Sequence, residues 1–264
     1  MNTSDIVLDI YRLTVRFGGL VALDQVSFQV GARRIHSVIG PNGAGKSTVL
    51  NAIFGLSRAS EGSIRLFGND ILGLRSDRIA ALGAARTFQN TELFLEMSVL
   101  ENVIVGAHRD AAYGLTGAAL RTPQFQRHEK ATREFAESIL DDLGLGDERH
   151  TTAGNLPFGK KRLLELARAL ATRPKLILLD EPAAGLRALE IEQLNASLVR
   201  LRDERRLTIL LIDHVMQVVM QISDVVTVLN FGRKISEGTP DVVSRDPEVR
   251  RAYLGSATAH AEAV

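Results

Sequence analysis

The run Gly40-Pro41-Asn42-Gly43-Ala44-Gly45-Lys46-Ser47-Thr48 follows the pattern G-x-x-x-x-G-K-[ST], which wraps polyphosphate in backbone amides. The chain must turn tightly there and bring N–H groups against phosphate oxygens, an approach that a Cβ obstructs. Gly40, Gly43 and Gly45 supply that freedom. Lys46 then offers a point charge to the β and γ phosphates, and Ser47 a hydroxyl to Mg²⁺, at the start of a helix whose dipole favours anions. Thr48 adds a second hydroxyl, nearer the α phosphate. Such a loop needs a strand before it and a helix after it. Arg34–Ile39 alternates and ends apolar like a strand, and Val49–Phe54 continues as a helix.

A second group of chemical side chains closes Lys175-Leu176-Ile177-Leu178-Leu179-Asp180-Glu181-Pro182, a buried strand that ends in two carboxylates. This looks like a Walker B segment: Asp180 holds Mg²⁺ through water, and Glu181 polarises the water that attacks the γ phosphate. Gln89 closes a short apolar segment, Arg86-Thr87-Phe88-Gln89-Asn90, from which its amide can reach metal and water; a surface glutamine fits the same pattern. His214 follows the strand-like Thr208–Ile212, where an imidazole can donate to the γ phosphate or serve the structure alone.

The elements that must position these groups follow from periodicity. Strand-like segments are Ile6–Phe17, Val21–Val30, Arg34–Ile39, Ser63–Phe67, Leu176–Leu179, Leu207–Ile212, Val225–Leu229 and Lys234–Ser236. Between Ser98 and Ala171 the period changes: Phe135, Ile139, Leu140 and Leu143 recur at helical spacing, as do Leu163, Leu166, Ala167 and Leu170. This reads as a helical insertion within an α/β domain, punctuated by turns at Gly114 to Gly117, Arg121-Thr122-Pro123 and Gly144-Leu145-Gly146. Residues Ser256 to Val264 are small and polar and are expected to be poorly ordered.

Composition narrows the classes. A chain of 264 residues can bury a full core, as one large domain or two small ones. It has no cysteine, which excludes thiolate metal sites and thiol catalysis. The polar, acidic start Met1–Asp5 does not resemble a secretory signal, and no apolar run reaches bilayer length. The net charge of +1, with both signs mixed, gives no electrostatic footprint for nucleic acid. The basic runs Lys160-Lys161-Arg162 and Arg202–Arg206 read as solvated helix faces.

The order phosphate loop, Gln89, helical insertion, Asp180-Glu181, His214 resembles an ABC transporter ATPase subunit over nearly the whole chain. Within that superfamily it is most similar to the ATP-binding subunit of branched-chain (hydrophobic) amino acid importers. Val15–Leu20, Gly114–Arg127, Asp180–Leu186 and the ending Arg251–Gly255 carry this likeness. The resemblance implies an α/β fold: an ABC ATPase (P-loop NTPase) core, an N-terminal antiparallel β subdomain, and a helical subdomain inserted between Q-loop and signature. It places one domain at 5–255, with the helical part at about 91–165. The implied ligands are ATP and Mg²⁺, with Ser47, Gln89 and Asp180 at the metal, and Phe17 is implied to stack on adenine.

Leu156-Pro157-Phe158-Gly159-Lys160 occupies the signature position, which in the family caps the partner's ATP, so a single chain is expected to be nearly inactive. The general pattern there is Leu-Ser-Gly-Gly-Gln, and only Leu156 and Gly159 match it. Pro157 has neither the serine hydroxyl nor a backbone N–H. Arg187 stands where the superfamily usually has an aspartate that helps two subunits communicate. The implied partners are two transmembrane permease subunits, a second ABC ATPase, with a homologue favoured over a second copy, and indirectly a periplasmic or extracellular substrate-binding protein. Nucleic acid is not among them. The implied location is the cytoplasmic face of the cell membrane, with Phe94 and Leu95 as permease contacts or, equally, helical core. Other cargoes (urea or amides, aromatic acids, exported lipid) and a soluble non-transport ABC ATPase remain as alternatives.

Overall fold

The computed structural model describes residues 5–87, 92–107 and 123–253. Gln89, the turns at Gly114 to Gly117 and Arg121-Thr122, and the segment from Ser256 to Val264 lie outside the described residues.

Two sheets organise these residues. The first is antiparallel, in the order β2-β1-β4-β5, from β1 (Ile6–Phe17), β2 (Leu20–Gly31), β4 (Glu61–Leu66) and β5 (Asn69–Asp70). The second runs β10-β9-β3-β8-β7-β6: β10 (Arg233–Gly238), β9 (Val225–Asn230), β3 (Ile35–Ile39), β8 (Thr208–Ile212), β7 (Leu176–Asp180) and β6 (Ala84–Arg86). The five strands from β9 to β6 are parallel, and β10 is an antiparallel edge. Strands β3, β7 and β8 are buried at every position, as a parallel sheet covered on both faces requires.

Alternation along these strands divides the core. Leu176, Leu178, Leu210 and Ile212 face a cluster shared with α1 (Lys46–Ile53) and the antiparallel sheet. Ile177, Leu179, Ile209 and Leu211 face the opposite way. Against them pack α3 (Val99–Ala107), α4 (Pro123–Asp142), α5 (Phe158–Leu170), α6 (Ala188–Glu204) and α7 (Met216–Ile222); α2 (Ser76–Ala81) precedes them in the chain. Pro123, expected in a turn, opens α4, where its missing N–H costs no hydrogen bond. A third cluster joins Ile39, Val226 and Val228 to Val243 of α8 (Pro240–Arg245) and to Tyr253 of the last helix, residues 247–253.

The basic runs are less solvated than expected. Arg162 is nearly buried and pairs with Glu165 at 3.4 Å, Lys160 pairs with Glu148, and Arg205 pairs with Asp142. Arg162 meets a carboxylate of its own helix and Lys160 and Arg205 meet carboxylates of a neighbouring turn and helix, while the Lys160 side chain stays about two-fifths exposed.

Candidate functional site

The phosphate loop follows β3, Glu181 follows β7 and His214 follows β8, so all three lie at carboxyl ends of parallel strands, where open α/β sheets bind ligands. The loop's shape depends on two glycines. Gly40 has φ +154, and a Cβ there would sit 2.2 Å from the Leu229 carbonyl oxygen. Gly45 has φ +100, and its Cβ would meet Leu23 and the Ala22 carbonyl at 2.7 and 2.8 Å. Helix α1 opens directly from Gly45 with no side-chain cap and no acidic residue in its first turn, so its N-terminal dipole is open to an anion.

Lys46 is buried, and its Nζ donates to the carbonyls of Gly40 at 2.8 Å and Pro41 at 3.0 Å. Burial lowers its pKa, opposed by the nearby carboxylates of Glu181 and Asp180. Asn42, Gly43, Ala44, Gly45, Lys46, Ser47 and Thr48 line a cavity of about 440 Å³, joined there by Phe17 from the end of β1 and by Glu181. Gly40 and Pro41 reach this cavity through their bonds to Lys46.

Asp180 is buried and forms an ion pair with Arg86 of β6, Nη2 to Oδ2 at 2.9 Å, while Nη1 of Arg86 donates to Asn51 Oδ1 of α1 at 2.8 Å. One guanidinium therefore joins the strand before Gln89, the helix after the phosphate loop and the end of β7. Glu181 adopts φ +50, uncommon for a residue with a side chain, and its N–H donates to the Ile212 carbonyl at 2.7 Å. That bond turns Glu181 toward the end of β8, where Nδ1 of the half-exposed His214 lies 3.6 Å from its Oε1.

Asp213, a position the sequence reading passed over, is fully buried. Its Oδ2 accepts from the Ala183 N–H at 3.1 Å and its Oδ1 from the Val215 N–H at 2.8 Å, fastening the segment after β7 to the loop that carries His214. Burial pushes its pKa up, against those N–H groups. A carboxylate directly after the four apolar residues Ile209–Ile212 was the available signal. Arg86 gave none, because its partner Asp180 is 94 positions away.

The signature positions stand apart: none of Leu156, Pro157, Phe158, Gly159 or Lys160 is among the residues lining the phosphate-loop cavity. Leu156 is buried, Pro157 is the N-cap of α5 and Phe158 is half-exposed under the Arg162 guanidinium. A Cβ on Gly159 would lie 2.4 Å from Glu190 Oε1, and the other oxygen of that carboxylate accepts from the Arg187 N–H at 2.8 Å. The signature turn and the start of α6 thus meet at Glu190.

The profile of the ABC transporter family matches residues 23–184, and that of the branched-chain amino acid ATP-binding cassette transporter matches residues 233–259. The chain is 43% identical over 251 residues to the high-affinity branched-chain amino acid transport ATP-binding protein BraF of Pseudomonas aeruginosa, spanning 95% of this chain and 98% of BraF. It is 41% identical, with the same coverage, to LivG of Escherichia coli K12, which carries the same description. The chain belongs to the ABC transporter ATP-binding family. The crystal structure of the ADP conformation of MJ1267, an ATP-binding cassette of an ABC transporter, superposes with a TM-score of 0.82 at 32% identity, covering 95% of this chain and 99% of that one. A nucleotide-free cassette gives 0.80 at 31% identity. The fold is therefore that of an ABC ATPase, and the chain is a nucleotide-binding ATPase cassette.

Proposed function

We propose that this chain, working as one ATPase domain over residues 5–255, is the motor subunit of an importer for branched-chain or other hydrophobic amino acids. The observation that carries the reading is the cavity that unites the phosphate loop with Glu181, in a chain whose C-terminal segment 233–259 matches the branched-chain cassette family.

In this reading the loop amides and Lys46 hold the β and γ phosphates, and Phe17 stacks on the adenine. Lys46 exchanges its bonds to the Gly40 and Pro41 carbonyls for phosphate oxygens. Glu181 accepts a proton from the water that attacks the γ phosphorus, the bond to the bridging oxygen breaks, and ADP leaves with that electron pair. His214 donates a hydrogen bond to the γ phosphate from beside Glu181. Ser47 and Asp180, with Gln89 as the family resemblance implies, would offer oxygen donors of the kind that suits Mg²⁺, which when bound would neutralise developing phosphate charge. The signature residues Leu156, Pro157, Phe158, Gly159 and Lys160 act on the ATP of a homologous partner cassette.

Among the described residues no helix is long and apolar enough to cross a membrane, so in this reading two permease subunits form the path and the chain sits on their cytoplasmic side. A largely apolar groove of about 550 Å³ supports such docking: Phe54, Leu56, Phe94 and Val105 line it, and Phe94 and the neighbouring Leu95 are about half exposed. Arg86 lines the same groove and pairs with Asp180, so a permease helix seated there lies one side chain from the metal-binding carboxylate.

The test is uptake of labelled leucine, isoleucine and valine in the native host carrying Lys46→Ala at the chromosomal locus. Loss of saturable uptake of at least one of them supports the reading. Unchanged uptake of all three, with uptake of urea, amides or aromatic acids lost instead, reassigns the cargo. Co-purification of Glu181→Gln protein with ribosomal or DNA-bound partners alone overturns transport.

A further inference from the structure

Strands β9 and β10 are joined by the two residues Phe231-Gly232, flanked by the paired Asn230 and Arg233. Both have positive φ, +47 and +76, the geometry of a hairpin turn whose first position normally takes Asn, Asp or Gly. A phenylalanine there is strained, and this one is also 86% exposed, so neither backbone preference nor burial accounts for it. The turn between β4 and β5 supplies an internal contrast. Phe67-Gly68 has the same positive-φ pair between Leu66 and Asn69, but Phe67 packs against the core beneath the antiparallel sheet.

Phe231 instead lines the phosphate-loop cavity, together with Phe17 and Leu20. Its turn is fastened to that loop: the Gly232 N–H donates to the Ala44 carbonyl at 3.1 Å, and the Gly232 carbonyl accepts from the Asp24 N–H at 2.8 Å. A Cβ on Gly232 would lie 2.6 Å from the Ala22 carbonyl, so the turn cannot shift away from β2 without losing this fit. A strained, solvent-facing aromatic is thereby held at the mouth of a polyphosphate cradle, on a turn bonded to the cradle.

We propose that Phe231 is a second base-stacking wall of the nucleotide site, which together with Phe17 holds the purine ring of ATP. The proposal rests on the phosphate loop being the nucleotide site. An aromatic face exposed in water gains most from a flat π-system laid against it, and a purine tethered to phosphates in the loop is delivered to the cavity that both phenylalanines line.

The test compares the binding of Mg-ATP and of inorganic tripolyphosphate, which lacks a base, by calorimetry on the full chain and on Phe231→Asn, Phe231→Tyr and Lys46→Ala variants. Asparagine relaxes the turn, so the first variant removes the ring without disturbing the backbone. Phe231→Asn is expected to weaken ATP about 5- to 150-fold, the range for losing a base–aromatic stack, with tripolyphosphate unchanged and Phe231→Tyr near the parent. Unchanged ATP affinity in Phe231→Asn overturns the proposal. Equal weakening of ATP and tripolyphosphate also overturns it, because the turn then acts through the loop and not the base. Full ATP affinity in Lys46→Ala instead overturns the assignment of the nucleotide site itself.

Discussion

Replacing Arg86 by methionine isolates the cost of the buried ion pair at the end of β7. Arg86 and Asp180 retain only 6% and 7% of their side-chain exposure and sit 2.9 Å apart. Methionine keeps most of the length of the side chain and none of its charge, leaving the Asp180 carboxylate in the core without the guanidinium. Breaking a buried pair from one side costs about 3–5 kcal/mol, because desolvation of the remaining charge is no longer offset. For a chain of this size that lowers Tm by roughly 5–10 °C. Neutralising the survivor removes most of the penalty, so Arg86→Met with Asp180→Asn is expected to recover more than half of the loss, while the double variant is expected to lose ATP turnover because it lacks the carboxylate proposed to bind the metal. The assay is urea and thermal unfolding of parent, single and double variants without nucleotide. A single-variant loss below about 1 kcal/mol, or a double variant no more stable than Arg86→Met, refutes the assignment of this pair as a desolvated, mutually dependent unit.

Further outcomes follow from the same geometry. His36 is buried against Phe28 and Thr227, and burial, reinforced by the positive charge of Lys234, lowers its pKa to about 3. The unfolded chain therefore binds the extra proton first: the stability present above pH 6.5 declines as pH falls toward 3, by on the order of 2 kcal/mol at pH 5. Unfolding free energies of parent and His36→Asn that vary identically between pH 7 and 5 contradict this. Gly40→Ala places a Cβ 2.2 Å from the Leu229 carbonyl at a positive φ and is expected to cost roughly 2–4 kcal/mol and to abolish nucleotide binding, read by thermal melting and calorimetry. Asp213→Asn leaves one acceptor oxygen for the Ala183 and Val215 N–H groups, with an expected loss of about 1–3 kcal/mol and slowed turnover; parental stability speaks against the fastening role.

The parts legible in the sequence are those whose determinants are contiguous. The strands β3, β7, β8 and β9 are apolar runs, and the antiparallel strands β1 and β2 are long and rich in β-branched residues, so their periodicity survives without partners. Strand β5, Asn69-Asp70, and the six-residue α2 are too short and polar to show a period. The phosphate loop and the Asp180-Glu181 pair are each written within a few residues, which is why their placement at strand ends could be anticipated. The Arg86–Asp180 pair, the two N–H groups held by Asp213 and the meeting of Gly159 with Glu190 join residues far apart in the chain, and no local pattern announces them. Phe231 breaks the residue rule of its own turn, but that is visible only once β9 and β10 are known to be joined by two residues.

In the proposed function Glu181 completes an ATP-hydrolysing site built on the Lys46 loop. This role is tested most directly by comparing bound ATP and released phosphate for parent and Glu181→Gln complexes, purified through a tag on this chain from solubilised membranes. The parent complex is expected to release phosphate from Mg-ATP, whereas the Glu181→Gln complex is expected to retain ATP unhydrolysed. Phosphate release at the parental rate by Glu181→Gln would contradict it.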